Sequence, residues 1–213
     1  MVAVPLSAAV TQREVGTDVP SFGHGVRDAQ RQSVDLLLVG DIRDRDTARA
    51  VLAAAQAGQL VVVTMAAVTS EAAIHRLIGM FEPAEQQQVR AQLASALRAV
   101  IAQQLVPAAD GGKPQLVCEV LLATDAIRTL LREGRTHEVA ATLENQVRAG
   151  MTSMDRSLAY YVAAGRLLEA DARAVCLHPD RFSDHLLRAP GARSDLSTGA
   201  GGAAASTGAG ARS

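Results

Sequence analysis

The side chains with the clearest chemical potential follow an apolar run and a glycine. Residues 34–39 are apolar except for one aspartate, and after Gly40 come Asp41, Arg43 and Asp44. The run predicts a strand buried on both faces, typical of parallel sheets, in which ligands collect beyond the carboxyl ends of the strands. An acid there is typical of a Walker B element, whose carboxylate holds Mg²⁺ through water or polarises a water that attacks a nucleotide phosphate. The alternative is an ordinary strand-to-helix turn in which Asp44 is the N-cap.

Composition argues against several classes of function. The chain has 213 residues, a formal charge of −1, three Phe, two Tyr and no Trp, so we expect neither a basic surface nor a stacking platform for nucleic acid. No apolar run approaches the length of a membrane span and the first residues lack a basic start, so we expect a cytoplasmic protein without membrane insertion. Cys118 and Cys176 belong to no CxxC pair, which favours two reduced thiols over a disulfide or a zinc site.

Periodicity and capping residues predict a βαβ unit in the first third of the chain. Ser21 can cap a helix to about Gln32, which precedes the strand already described. Asp44 then caps a second helix that Gly58 ends, and residues 60–64 form the next strand. The two strands should be parallel neighbours joined by a right-handed crossover.

Helices predominate after this unit. A glycine-rich turn at Asp110 predicts a hairpin, and residues 190–213, nearly all Gly, Ala, Ser and Thr, predict a disordered tail. This pattern divides the chain into a partial α/β core (1–121), a helical subdomain (122–189) and the tail. The predicted elements are helices from Ser70, from Pro83 through Ile101, and at 124–133, 136–145, 152–164 and 169–177, with hairpin strands at 104–106 and 115–121.

Three motifs carry a family resemblance. Residues 11–22 resemble Q-R-E-V-G-x-D-x-x-S-F, residues 39–44 resemble the Walker B sequence G-E-M-R-D, and residues 126–133 resemble A-I-R-N-L-I-R-E, with Thr129 in place of Asn. From about residue 10 to 187 the chain thus resembles the C-terminal part of the PilT family of type IV pilus retraction ATPases, within the secretion ATPase superfamily. The resemblance implies a truncated RecA-like P-loop NTPase core followed by a helical region, a ring-shaped oligomer, and ATP with Mg²⁺ as cofactors if the family activity is retained.

The departures from the family pattern concern hydrolysis. The printed sequence contains no Gly-Lys-Ser or Gly-Lys-Thr, so no phosphate cradle can be assigned and no nucleotide-binding residue is predicted. Gln59 and Ala66 stand where the family's His box has histidines, and Asp41 stands where its Walker B has glutamate. We assign no metal ligand. These substitutions indicate relaxed constraint on hydrolysis.

The sequence therefore predicts a non-hydrolysing PilT-like protein that interacts with a pilus or secretion ATPase ring at the inner membrane. Asp41 is the one catalytic candidate. The predicted interaction residues are Arg13, Arg128, Leu131 and Arg132, although a solvated helix face is the alternative for the two arginines four residues apart. Two competing hypotheses are an active retraction motor, with a longer reading frame or a nucleotide site completed by another chain, and a decayed gene product without function.

One physical difficulty accompanies this prediction. In a RecA-like sheet the strand that leads into the P-loop is central, and without it the strand at 34–40 would have an unpaired edge and its helices exposed apolar faces. Three outcomes are possible: the sheet closes differently, another chain supplies the missing half, or the product folds poorly.

Overall fold

The computed structural model describes residues 8–189 and contains four strands and nine α-helices in that range. In chain order the elements are α1 (Phe22–Gln30), β1 (Leu36–Val39), α2 (Arg45–Gln56), β2 (Leu60–Val63), α3 (Ser70–Gly79), α4 (Pro83–Ala96), β3 (Ala99–Val106), β4 (Gln115–Leu122), α5 (Asp125–Glu133), α6 (Val139–Asn145), α7 (Met154–Ala163), α8 (Glu169–Val175) and α9 (Pro179–Arg188). Short 3₁₀ turns at Thr136–Glu138 and Val147–Ala149 flank α6.

The described residues group into two compact units. The first contains residues 8–104 and 117–154, and the second contains residues 105–116 and 155–189. Residues 122–154 lie in the first unit, where α5 packs on α4 and α6 packs on α5. The predicted tail at 190–213 lies outside the described residues.

The predicted βαβ unit is present in the first unit. β1 and β2 are parallel and in register from Leu36 opposite Leu60 to Val39 opposite Val63. The connecting α2 begins with Asp44 as N-cap and ends before Gly58, which takes a φ of +98°. This left-handed backbone favours glycine, because a Cβ would be strained there.

The core of the first unit is built from buried side chains of α1 to α5, together with Val39 at the end of β1 and Leu121 in β4. The strongest helix pairings join α1 to α2 and α4 to α5. Its buried apolar side chains include Val39, Ile42, Leu52, Ile74, Phe81, Val89, Leu93, Leu121, Ile127 and Leu131.

The prediction that β1 is buried on both faces is wrong for these residues. Leu36 and Leu38 are 55% and 66% exposed, whereas Val39 is 3% exposed. In the described part of the chain β1 and β2 form a sheet of two strands, and the core packs on the face that carries Val39. Within residues 8–189, β1 therefore pairs with β2 alone and has one face that no described residue covers.

The helix predicted from Pro83 through Ile101 is also wrong in its last five residues, 97–101. α4 ends at Ala96, and Leu97 has an extended ψ of 135°. Val100 and Ile101 lie in β3, which pairs with β4 as the predicted hairpin. β-Branched side chains suit a pleated strand better than a helix, and the glycine-rich turn brings the two strands together.

The second unit is helical and has its own small core. Leu158, Leu167 and Phe182 are at most 3% exposed. The helix α9 was not predicted, although Pro179 at its first turn is a start signal. None of the described helices has the length and apolar character needed to cross a membrane.

Candidate functional site

The loop that follows β1 is fixed to the end of β2. The amide of Ile42 donates to the Thr64 carbonyl oxygen at 3.2 Å, and the Thr64 hydroxyl donates to the Gly40 carbonyl oxygen. Ile42 itself is 1% exposed and anchors the loop in the core. These contacts hold Asp41 at the carboxyl end of the sheet, where the sequence predicted it.

Asp41 is partly accessible and already has a cationic partner. Its side chain is 27% exposed, and its Oδ2 accepts a hydrogen bond from Arg43 Nε at 2.5 Å. The Arg43 side chain is 77% exposed, so this pair lies at the surface of the loop. The carboxylate thus has a cationic neighbour and stays accessible to solvent.

The two acids that follow have structural roles. Asp44 accepts hydrogen bonds from the amide and the hydroxyl of Thr47, each at 2.8 Å, and so caps α2. Asp46 accepts from Arg27 at 2.8 Å, and this hydrogen bond is the main cause that lowers the pKa of the Asp46 carboxyl. The N-cap interpretation is therefore right for Asp44, and Asp46 joins α2 to α1, whereas the partner of Asp41 lies two residues away in the same loop.

Gln59 and Ala66, which the resemblance aligns with two histidines of the family, lie at opposite ends of β2. The Gln59 amide nitrogen donates to the Val34 carbonyl oxygen at 2.8 Å, which ties the start of β2 to the residues before β1. Ala66 follows the end of β2, and its carbonyl oxygen accepts from Arg76 at 3.2 Å. Neither residue brings a titratable group near Asp41.

The described residues offer one candidate ligand for a metal-bound nucleotide at the end of β1, the carboxylate of Asp41. Among residues 8–189 no three His, Cys, Asp or Glu side chains are placed to hold a metal ion. The only lysine of the sequence, Lys113, is followed by proline rather than by serine or threonine. One paired carboxylate cannot by itself bind the phosphates, so we derive no catalytic step through ATP or Mg²⁺ from these residues.

The predicted interaction residues on α5 divide into three different environments. Arg128 reaches back to the end of α4, where its guanidinium donates to the carbonyl oxygens of Ala94, of Ser95 at 3.1 Å and of Leu97 at 2.9 Å. It therefore satisfies carbonyls that the end of a helix leaves without intrahelical partners. Sequence reasoning missed this role, because the end of α4 was itself placed too late.

Leu131 and Arg132 are adjacent and differ completely in exposure. The Leu131 side chain is fully buried in the core of the first unit and so contributes to packing. Arg132 is exposed, and its guanidinium donates to the neutral hydroxyl of Thr129 at 3.2 Å. Of the predicted residues on this helix, Arg132 presents its charge to solvent.

Arg13 lies against α1. Its guanidinium donates to Gln32 at 3.0 Å and is 3.7 Å from the Asp28 carboxylate, with 31% of the side chain exposed. Arg13 and Arg128 are thus held by different elements, and no described contact joins them.

Comparison with known proteins identifies the protein family of this chain. The family described as Type II/IV secretion system protein matches residues 8–155, which is most of the chain, and the chain belongs to this family. Its similarity extends to individual pilus proteins. It is 35% identical to the type IV pilus ATPase PilU of Pseudomonas aeruginosa over 175 residues, 82% of this chain and 45% of PilU. It is 34% identical to the type IV pilus retraction ATPase PilT of the same organism, over 81% of this chain and 50% of PilT.

The fold agrees with this assignment. The crystal structure of the pilus retraction motor PilT with bound ADP superposes with a TM-score of 0.74 and 33% identity, over 82% of this chain and 49% of that one. The predicted α/β class and family resemblance are thereby confirmed. The chain spans about half the length of the curated relatives it matches.

Proposed function

We propose that this chain is a non-hydrolysing member of the family that binds to a PilT-like ATPase ring of a pilus or secretion system. The proposal rests on the partners of the three acids that follow β1. Asp41 is paired with Arg43, Asp44 caps α2, and Asp46 is paired with Arg27. Each of these acids already has a partner within the chain. On this proposal none of them is free to hold a metal or to orient an attacking water.

Support for a binding role comes from α5. The helix belongs to the segment that resembles A-I-R-N-L-I-R-E, and its framework is intact, because Leu131 fills the core and Arg128 caps α4. Arg132 is left facing solvent beside Thr129. On this proposal Arg132, together with the partly exposed Arg13, contacts an acidic surface of a ring subunit in the cytoplasm, at the inner membrane where such a ring operates.

The proposal is tested by binding to full-length P. aeruginosa PilT and PilU in biolayer interferometry. We expect Arg132→Glu to weaken binding roughly tenfold, because a repulsive charge replaces an attractive one. Arg181→Glu, which reverses the charge of an exposed arginine on α9, is the matched control and should bind like the wild type. Equal binding by both variants, or no binding by the wild type, would contradict the proposal.

A hydrolysing motor is the second candidate, favoured by the accessible carboxylate of Asp41 at the end of β1. Calorimetry with Mg-ATP and Mg-ADP separates the two candidates. Millimolar or no affinity supports the binding role. Micromolar affinity that Asp41→Asn reduces would instead support a nucleotide site completed by another chain.

A further inference from the structure

The guanidinium of Arg90 on α4 is partly buried and has few partners. In the described part of the chain its one hydrogen bond runs from Nη2 to the Gln86 side-chain oxygen, at a long 3.4 Å. Its Nε is buried without a hydrogen-bond partner, and no described carboxylate forms an ion pair with it. A cation that is partly removed from water is unfavourable unless acceptors and a counter-ion compensate it. Arg90 therefore has unused donors and an uncompensated charge.

Gly134 lies directly beside this guanidinium. It is the C-cap of α5 and takes a φ of +74°, a left-handed backbone that favours glycine. A Cβ at this position would lie 3.7 Å from Arg90 Nε. Because glycine has no side chain, residue 134 adds no atoms that would cover Arg90 further.

Arg132 belongs to the same part of the surface. Gln87, which lies one helical turn before Arg90 on α4, donates from its side-chain amide to the Arg132 carbonyl oxygen at 3.1 Å. The helix α4 thus meets α5 at Arg132 through Gln87 and at Gly134 through Arg90. The Arg132 side chain is exposed, and among the described residues its guanidinium donates to the neutral hydroxyl of Thr129 alone. We call Arg90 and Arg132 together the two-arginine surface.

The glutamates next to this surface already have a partner. Arg135 donates to Glu133 at 2.9 Å and to Glu138 at 2.6 Å. Three arginines and two glutamates leave this group of side chains with a net positive charge. The charges of Arg90 and Arg132 are the ones that no described ion pair balances.

We infer that the two-arginine surface binds an acidic segment of a protein partner, with one carboxylate on Arg90 and another on Arg132. The fork of an arginine matches a carboxylate in a bidentate pair, and complementary charge gives such a contact its specificity. The two guanidiniums lie at different points of α5, near Gly134 and near Thr129. A segment with several carboxylates can therefore contact both, whereas a single small anion would contact one.

This inference rests on the proposed function and deepens it. It adds Arg90 to the surface through which Arg132 contacts a ring subunit, and it names the chemistry of the segment that this surface receives.

The first test is an NMR titration of the full 213-residue chain, labelled with nitrogen-15, with a hexaglutamate peptide. The Nε–H signals of Arg90 and Arg132 are assigned with the two Arg→Lys variants. We expect both signals to shift saturably and the shifts to disappear in about 0.5 M NaCl, because salt screens exposed charges. A hexaglutamine peptide is the matched control and should shift neither signal. No shift at Arg90, or an equal shift with inorganic phosphate, which would indicate a site for small anions, would overturn the inference.

Variants of Arg90 test the same contact in the binding of full-length P. aeruginosa PilT. Arg90→Gln should weaken binding roughly tenfold and reduce its dependence on salt, because one charge pair is lost. Arg90→Lys keeps the charge and should weaken binding less. Arg181→Gln, at an exposed position on α9, is the matched control and should bind like the wild type. If Arg90→Gln lowers stability but leaves the affinity and its salt dependence unchanged, Arg90 has a structural role and the inference is wrong.

The two proposals fail in different ways. If Arg132→Glu weakens PilT binding and Arg90→Gln does not, the inference is wrong and the proposed function stands. If the wild-type chain does not bind PilT but hexaglutamate still shifts both arginine signals, the proposed function is wrong and the two-arginine surface serves another acidic protein. The peptide titration uses the wild-type chain, so it decides the inference even where a variant folds poorly.

Discussion

Arg128 on α5 donates a hydrogen bond to the carbonyl oxygen of Leu97 at 2.9 Å, immediately after the end of α4. With its contact to Ser95 at 3.1 Å, the guanidinium closes the C-terminal end of that helix. The arginine thereby couples the two helices at the point where the chain changes from helix to strand. Its charge also complements the partial negative charge of the helix end.

We expect Arg128→Ala to lower the free energy of unfolding by about 1–2 kcal/mol, because several carbonyl groups lose a charged donor. Urea unfolding followed by circular dichroism measures this change. Arg132→Ala on the same helix is the control and should stay within about 0.5 kcal/mol of the wild type. If Arg132→Ala lowered the free energy of unfolding more than Arg128→Ala, the capping contact would contribute little.

Leu131→Ala should lower the free energy of unfolding by about 2–5 kcal/mol, because the side chain is fully buried and its removal leaves a cavity. Leu131→Met, which nearly conserves volume, should cost less than about 1.5 kcal/mol. Thermal and urea unfolding provide the measurement. If Leu131→Ala weakened ring binding while its stability stayed unchanged, the residue would act at an interface instead of in the core.

Gly23 permits the close approach of α1 to α2. A Cβ at Gly23 would overlap the Asp46 carboxylate, which would have to turn away from Arg27. We expect Gly23→Ala to destabilise the protein by about 0.5–2 kcal/mol in spite of alanine's higher helix propensity. Gly79→Ala in α3, where a Cβ meets no atom within 4 Å, is the control, and it should be neutral or slightly stabilising in the same denaturation assay.

The ion pairs of Glu85 predict a dependence of stability on pH. Glu85 accepts from Arg49 at 2.6 Å and lies 2.7 Å from Arg45. The hydrogen bond from Arg49 is the largest cause that lowers the pKa of the Glu85 carboxyl. Because the folded-state pKa is depressed, the contribution to stability is present above the unfolded pKa of about 4.3 and is lost as pH falls through the folded value.

We therefore expect wild type to exceed Glu85→Gln in stability at pH 7 and the difference to disappear in acid. Unfolding free energies measured at several pH values between neutrality and strong acid provide the test. A difference between wild type and Glu85→Gln that is independent of pH would argue against the ion pairs as its cause.

Asp155 organises the second unit. Its side chain is 2% exposed, and it accepts from the amides of Leu177 at 2.7 Å and His178 at 3.0 Å and contacts the His178 ring nitrogen Nδ1 at 3.1 Å. Asp155→Ala should destabilise by about 2–3 kcal/mol, because the amide donors lose a charged acceptor. Hydrogen exchange at residues 177 and 178 reports the change. His178→Ala keeps both amide contacts and should have a smaller effect.

The local elements of the first unit were predictable because their signals lie within a few residues of each other. Ser21, Asp44 and Gly58 mark the ends of α1 and α2 in the sequence and do so in the structure. α4 was placed too long because Val100 and Ile101 continue its apolar spacing. Only the pairing of β3 with β4, a contact between distant residues, decides that they form a strand.

By itself, the sequence determined the family, the βαβ unit and the placement of Asp41 at a strand end. Motifs and hydrophobic periodicity depend only on residues that are close together in the chain. The tertiary structure decided which predicted residues are accessible. Leu131 and Arg132 are adjacent in the chain, yet the helical turn directs one into the core and the other to solvent. It also decided that Leu36 and Leu38 remain exposed. Burial depends on which residues pack against a strand, and the apolar character of a side chain does not show whether any do.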